Sequence, residues 1–111
     1  MSLNDLEIAR DNEGFLIDPA DWSPQVAERL AEELGLEMTP ERWEIVELVR
    51  EHFESHQVVP EARMILKRLR ERHGKARATR RYIYSLFPWG YGQQACKIAG
   101  MRKPLKLMLD V

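Results

Sequence analysis

The side chain best suited to nucleophilic chemistry in this sequence is Cys96, its single cysteine. It opens the closing stretch CKIAGMRKPLKLMLDV, residues 96–111. A helix predicted over Gln93–Ala99 places Cys96 in the first turns. There the positive end of the helix dipole and the charge on Lys97 favour a thiolate. Such a thiol is a candidate to carry a persulfide or to form a mixed disulfide. The alternative is packing, because beside Ala95 and Ile98 a free cysteine behaves as a small apolar residue. Both readings stay open at this level.

Two other groups have spacings with chemical meaning. His52 and His56, in HFESH, stand four apart on one helical face, which is metal-ligand spacing. The general-base Glu of a zinc-protease helix would follow the first His, and here Phe53 does. No second Cys and no nearby His completes a site, since His73 falls on another helix, so neither metal nor cofactor is expected. The second group is basic. Two predicted helices, 41–56 and 60–73, joined by a short turn resemble a helix-turn-helix unit. The second carries Arg63, Lys67, Arg68, Arg70 and Arg72, and Lys75, Arg77, Arg80 and Arg81 extend the run. Cations so placed could contact phosphates in a major groove. There is no Gly-rich phosphate loop and no Ser/His/Asp set, so nothing points to a self-contained enzyme.

The elements that must position these residues are mostly helical. Leu6 and Ile8 alternate with charged residues, and Asp11–Gly14 supplies turn chemistry before Phe15–Ile17, which predicts a small hairpin over 5–17. Ser23-Pro24 and Thr39-Pro40 are helix starts. Val26, Leu30 and Leu34 recur at helical spacing up to Gly35. Trp43, Val46, Val49 and Phe53 give the second helix its apolar stripe, and Ala62, Ile65, Leu66 and Leu69 give the third its own, ended by Gly74. Thr79 can cap a short fourth helix through Tyr82, Ile83 and Leu86. Pro88, Gly90 and Gly92 predict a bend, followed by the helix that holds Cys96 and stops at Gly100.

At 111 residues, 44% of them hydrophobic, the chain is expected to form one domain that buries roughly two thirds of its unfolded surface without disulfides or metals. A lone cysteine, the absence of a leader in Met1–Arg10 and the absence of a membrane-length apolar run lead us to expect a cytoplasmic protein. The net charge of −1 conceals an asymmetry. Residues 1–61 hold sixteen acids and four Arg, and residues 62–111 hold thirteen Lys/Arg and two acids. Two halves so charged can attract each other, or the basic half can recruit an acidic partner or nucleic acid. The acidic first half argues against close approach to a duplex.

Three stretches carry a resemblance to a known family. YIYSLFPWGYGQQACKIAGMRKP, Tyr82 to Pro104, resembles the DsrC/TusE family of small sulfur-carrier proteins, which includes the gamma subunit of dissimilatory sulfite reductase. DNEGFLIDPADWSPQVAERLAEELGLEMTPERWEIVELVREHF is similar to the family's N-terminal half, with Gly14-Phe15-Leu16, Trp22 and Trp43 in the expected order. VVPEARMILKRL is similar to the segment that follows. The resemblance covers nearly the whole chain. It implies a mainly α, small orthogonal helical domain over 1–111 with an N-terminal β-hairpin, a helix-turn-helix-like unit and a C-terminal arm, here 101–111. It also implies an arm thiol, usually the penultimate residue, that carries sulfur as a persulfide into a partner's active site. In DsrC-type members a second cysteine lies about ten residues upstream, and the pair can hold a sulfur atom as a trisulfide. In TusE-type members the terminal thiol alone relays sulfur toward thiolation of tRNA.

This sequence departs from that pattern at its end. Cys96 matches the upstream cysteine of the DsrC pair, and Leu107 stands where the donor cysteine is expected. The resemblance therefore implies a protein of sulfur metabolism that keeps the scaffold and lacks the usual donor. Its expected role is binding or regulation of a protein partner of sulfur transfer or sulfite reduction. Arg63, Lys97, Arg102, Lys103, Leu105 and Leu107 are the candidate contacts. A persulfide carrier built on Cys96 is the second expectation. A helix-turn-helix regulator that binds nucleic acid is the third, and it is not favoured. No membrane partner is expected.

Overall fold

The computed structural model describes residues 8–102. The expected hairpin is present in its shortest form. One antiparallel bridge joins Arg10 and Leu16, with hydrogen bonds from Asp11 N to Phe15 O (2.8 Å) and from Ile17 N to Ala9 O (3.1 Å). The Asp11 carboxylate accepts from the N–H groups of Glu13 and Phe15 at 2.8 and 3.0 Å, which holds the turn closed. Leu6, which the hairpin reading used, lies outside the described residues.

Four helices start where their caps predict or within two residues. Helix α1, Pro24–Glu33, is capped by Ser23, whose hydroxyl accepts from Val26 N. Leu36 N bonds to Ala31 O and Gly35 N to Glu32 O, which closes its end in a Schellman motif around Gly35 at φ +73°. Helix α2, Pro40–His56, is capped by Thr39 and ends at Gln57 in the left-handed region. Helix α3, Ala62–His73, has no side-chain cap; Glu61 stands at its N-terminus. Helix α4, Arg80–Leu86, is capped by the Thr79 hydroxyl. The buried faces of these helices meet Leu16, Phe87 and the segment 91–101 in one apolar cluster, with Ile45, Val46, Val49, Ile65, Leu69 and Ile83 at its centre.

The fifth helix differs from expectation. Helix α5, Tyr91–Cys96, is wound as a π-helix, starts two residues before the predicted Gln93, and leads into one further helical turn at Lys97 and Ile98. Gly100 N bonds to Lys97 O and Met101 N to Cys96 O, a second Schellman closure, with Gly100 at φ +77°. Cys96 therefore stands in the last turn of its helix and not the first. Its carbonyl belongs to the negative end of the dipole, so the dipole argument for a thiolate does not apply.

Candidate functional site

Most of the segment Tyr91–Met101 is buried. Cys96 is fully buried, as are Ala95, Ile98, Ala99 and Met101. In an α-helix, residues five apart point about 140° away from each other. The i→i+5 winding of a π-helix brings them closer together, onto the same side. Here Tyr91 and Cys96 stand five apart in such a segment. The Tyr91 hydroxyl donates to Pro60 O at 2.6 Å and shares a side-chain hydrogen bond with Cys96. Burial holds Tyr91 well above the usual tyrosine range, and the neighbouring Cys96 raises it further. The arrangement places a phenol and a thiol side by side inside an apolar core.

Lys97 faces the other way. Its ammonium lies 5.4 Å from the centre of the Phe15 ring, a cation–π distance. Burial lowers its pKa, and the charge on Arg10 lowers it further, against Glu33, Asp11 and Glu13. Arg10 forks onto Glu33 at 2.6 and 3.0 Å and also donates to Gly14 O at 2.9 Å. Lys97 thus pins α5 to the N-terminal turn. Beyond it, Trp22 Nε1 donates to Ile98 O at 2.8 Å, while the Arg50 guanidinium stacks on the Trp22 ring at 4.6 Å. Arg50 also donates to Pro19 O and Ala99 O, at 2.9 and 3.3 Å. Trp22 forms one wall of an open groove with Trp43, Glu44 and Glu47.

Of the expected contact residues, Lys97 is half-buried and engaged as described, and Arg102 is exposed at the end of the described chain. Arg63 is exposed at the start of α3 and paired with Glu61 at 2.8 Å. Lys103, Leu105 and Leu107 lie outside the described residues, as does most of the expected arm. No contact gathers Arg63, Lys97 and Arg102 into a single site among the described residues. Tyr91, which the sequence analysis did not single out, proves to be a polar partner of Cys96.

The helix-turn-helix-like pair, α2 and α3, binds its own charges. Arg68 pairs with Glu51 and Glu71, Arg72 with Glu44 and Glu51, and His73 with Glu44 at 2.7 Å. Much of the basic face of α3 is therefore answered by acids of α2. His52 and His56 stack, with ring centres 4.4 Å apart. His52 is held below the usual histidine range, first by burial, then by His56 and Arg68. Among the described residues no group of three His, Cys, Asp or Glu is placed to hold a metal ion. None of the helices among those residues is long and apolar enough to cross a membrane.

Comparisons with known proteins agree on one family. The family model described as "DsrC like protein" matches residues 2–108. The chain is 40% identical over 100 residues to sulfurtransferase TusE of Escherichia coli (strain K12), covering 90% of this chain and 92% of that one. It is also 40% identical over 99 residues to sulfurtransferase TusE of Pectobacterium atrosepticum, covering 89% and 91%. Among solved structures, it is similar to the oxidized gamma subunit of the dissimilatory sulfite reductase (DsrC) from Archaeoglobus fulgidus. That match has a TM-score of 0.80 and 36% identity, covering 88% of this chain and 90% of that one. DsrC of Allochromatium vinosum matches with a TM-score of 0.79 and 41% identity, covering 88% of each chain.

Proposed function

The chain belongs to the DsrC-like family, and from that premise we propose that it serves sulfur metabolism in the cytoplasm by binding a protein partner rather than by carrying sulfur. The observation that supports this most is the state of Cys96, the single cysteine, which is fully buried. A persulfide adds a sulfur atom beyond the thiol. In a close-packed core such an addition costs about 1–3 kcal/mol in displaced neighbours, and it would still leave the outer sulfur out of reach of an acceptor. At position 107, where the family resemblance implies a donor cysteine, the chain has leucine. What remains available to a partner is the surface of the scaffold, including Arg63 and Arg102, and Lys103, Leu105 and Leu107 follow in the sequence as further candidate contacts.

Affinity purification from the host, with wild-type and Cys96→Ala chains as baits, tests this reading. Binding without sulfur transfer requires that both baits retain the same partner in the same amount. A partner held by the wild-type chain alone and released by a thiol reductant would make Cys96 the working group and overturn the proposal.

A further inference from the structure

The surface around α4 carries charge and aromatic area that the core and the α2–α3 pair do not use. From Arg72 to Leu109 the sequence contains no Asp or Glu. Lys75, Arg77, Arg80 and Arg81 are all exposed, and none of the four forms an ion pair with a described residue. On α3, by comparison, Arg63, Arg68, Arg72 and His73 have carboxylate partners, and Lys67 and Arg70 are the basic residues without one among the described residues. Tyr84, on the same exposed side of α4 as Arg80 and Arg81, is 47% exposed, and Trp89 is 71% exposed.

The backbone of Trp89 is held in place. Gly90 N bonds to Phe87 O at 2.9 Å, which closes a turn with Pro88 and Trp89 at its centre. Phe87 anchors this turn in the core. The Trp89 N–H donates to Gln94 Oε1 at 2.9 Å. Gln94 is the one buried amide side chain among the described residues. Burying an amide is costly unless it finds a partner, and this one is committed to the backbone of an exposed indole. Trp, Tyr and Arg are the residues that dominate binding energy at protein interfaces. Ordering them before contact lowers the entropy lost on association.

We propose that Trp89, Tyr84, Arg80 and Arg81 form a docking surface for a protein partner whose acidic surface surrounds an apolar pocket for the Trp89 indole. This deepens the binding role proposed above and rests on it. Charge complementarity selects the partner: cations without carboxylates call for acids on the other side. Exposed aromatics and Arg can also stack nucleic-acid bases. Against a long polyanion stands the acidic first half of the chain, sixteen acids against four Arg over residues 1–61. A compact acidic patch meets the cations alone.

The test is photo-crosslinking in the host cell. A photoreactive phenylalanine derivative replaces Trp89 or Tyr84, with exposed Ile17 and Val58 as control positions. The captured protein is identified by mass spectrometry and purified. Its affinity is then measured for the wild type, Trp89→Ala and Arg80→Glu/Arg81→Glu. All three positions are solvent-exposed, and circular dichroism confirms that the variants fold. One protein crosslinked from 89 and 84 but not from 17 or 58 supports the proposal. So does binding about 30-fold or more weaker in Trp89→Ala, together with loss of salt dependence in the double charge reversal. A crosslinked species destroyed by nuclease overturns it, as do equal capture from all four positions and absence of capture. Wild-type affinity in Trp89→Ala removes this surface and leaves the binding role standing. Sulfur found on Cys96 removes the sulfur-free role and leaves the surface.

Discussion

Replacing Gly100 by alanine tests the junction where α5 meets Trp22 and the chain leaves the core. At φ +77° an added Cβ would meet Trp22 Cβ at 2.7 Å and Cγ at 2.8 Å, with Cδ1 closer still. The left-handed backbone alone costs a non-glycine residue about 1–2 kcal/mol. Displacing a packed indole adds about 1–3 kcal/mol. Losing the bond from Trp22 Nε1 to Ile98 O adds about 1 kcal/mol. The expected total is about 3–6 kcal/mol. Gly35→Ala is the control, because its φ is +73° but nothing lies within 4 Å of the added atom. It carries only the strain, about 1–2 kcal/mol, reduced by the lower entropy of the unfolded chain. Equilibrium urea unfolding, followed by tryptophan fluorescence and circular dichroism, measures both. With a slope of about 2 kcal/mol per molar urea, the Gly100→Ala midpoint falls about 1 M or more below that of Gly35→Ala. If the two variants unfold within about 0.5 M of each other, the close packing of Gly100 on Trp22 is wrong.

Other expectations follow from the same geometry. The Cys96 thiol of the native protein resists an aromatic disulfide reagent and reacts at once in denaturant, and fast native modification would contradict its burial. Tyr91→Phe removes the bond to Pro60 O and the partner of Cys96, lowering stability in urea by about 1–3 kcal/mol; a neutral result would place the Tyr91 hydroxyl elsewhere. His52, depressed first by burial and then by His56, binds its proton at lower pH in the folded state than in the unfolded chain. Its contribution to stability is therefore complete above about pH 6.5 and is lost as pH falls from there through the folded pKa. By NMR, His52 should titrate below the usual range and move upward in His56→Gln; an unchanged midpoint would remove the coupling.

The parts of this fold that were legible in the sequence are those governed by local chemistry. Ser23, Thr39 and Thr79 accept the N–H bonds that their positions promised, and Gly35 and Gly100 close helices through left-handed backbone. The hairpin turn followed from Asp11 and Gly14 in the same way, although it pairs at a single bridge. What the sequence hid depends on distant partners. Gly92 in the run Gly90-Tyr91-Gly92 reads as a bend. Yet the helix begins at Tyr91, because its ring is buried and its hydroxyl finds Pro60, 31 positions earlier. That early start shifts Cys96 from the first turn to the last. Likewise, Trp22 and Ile98 are 76 positions apart, and no periodicity announces their bond. The family resemblance located Cys96 and Leu107 at informative positions, but only the packing around Tyr91 tells what the thiol meets.

Intact-mass spectrometry of the folded protein after exposure to a persulfide donor, with Cys96→Ala beside it, tests the account most directly. The native wild-type chain should keep its original mass and gain sulfur only when the exposure is repeated in denaturant. A native chain that gains one sulfur atom at full stoichiometry, lost in Cys96→Ala, would show that the buried thiol is a working carrier after all.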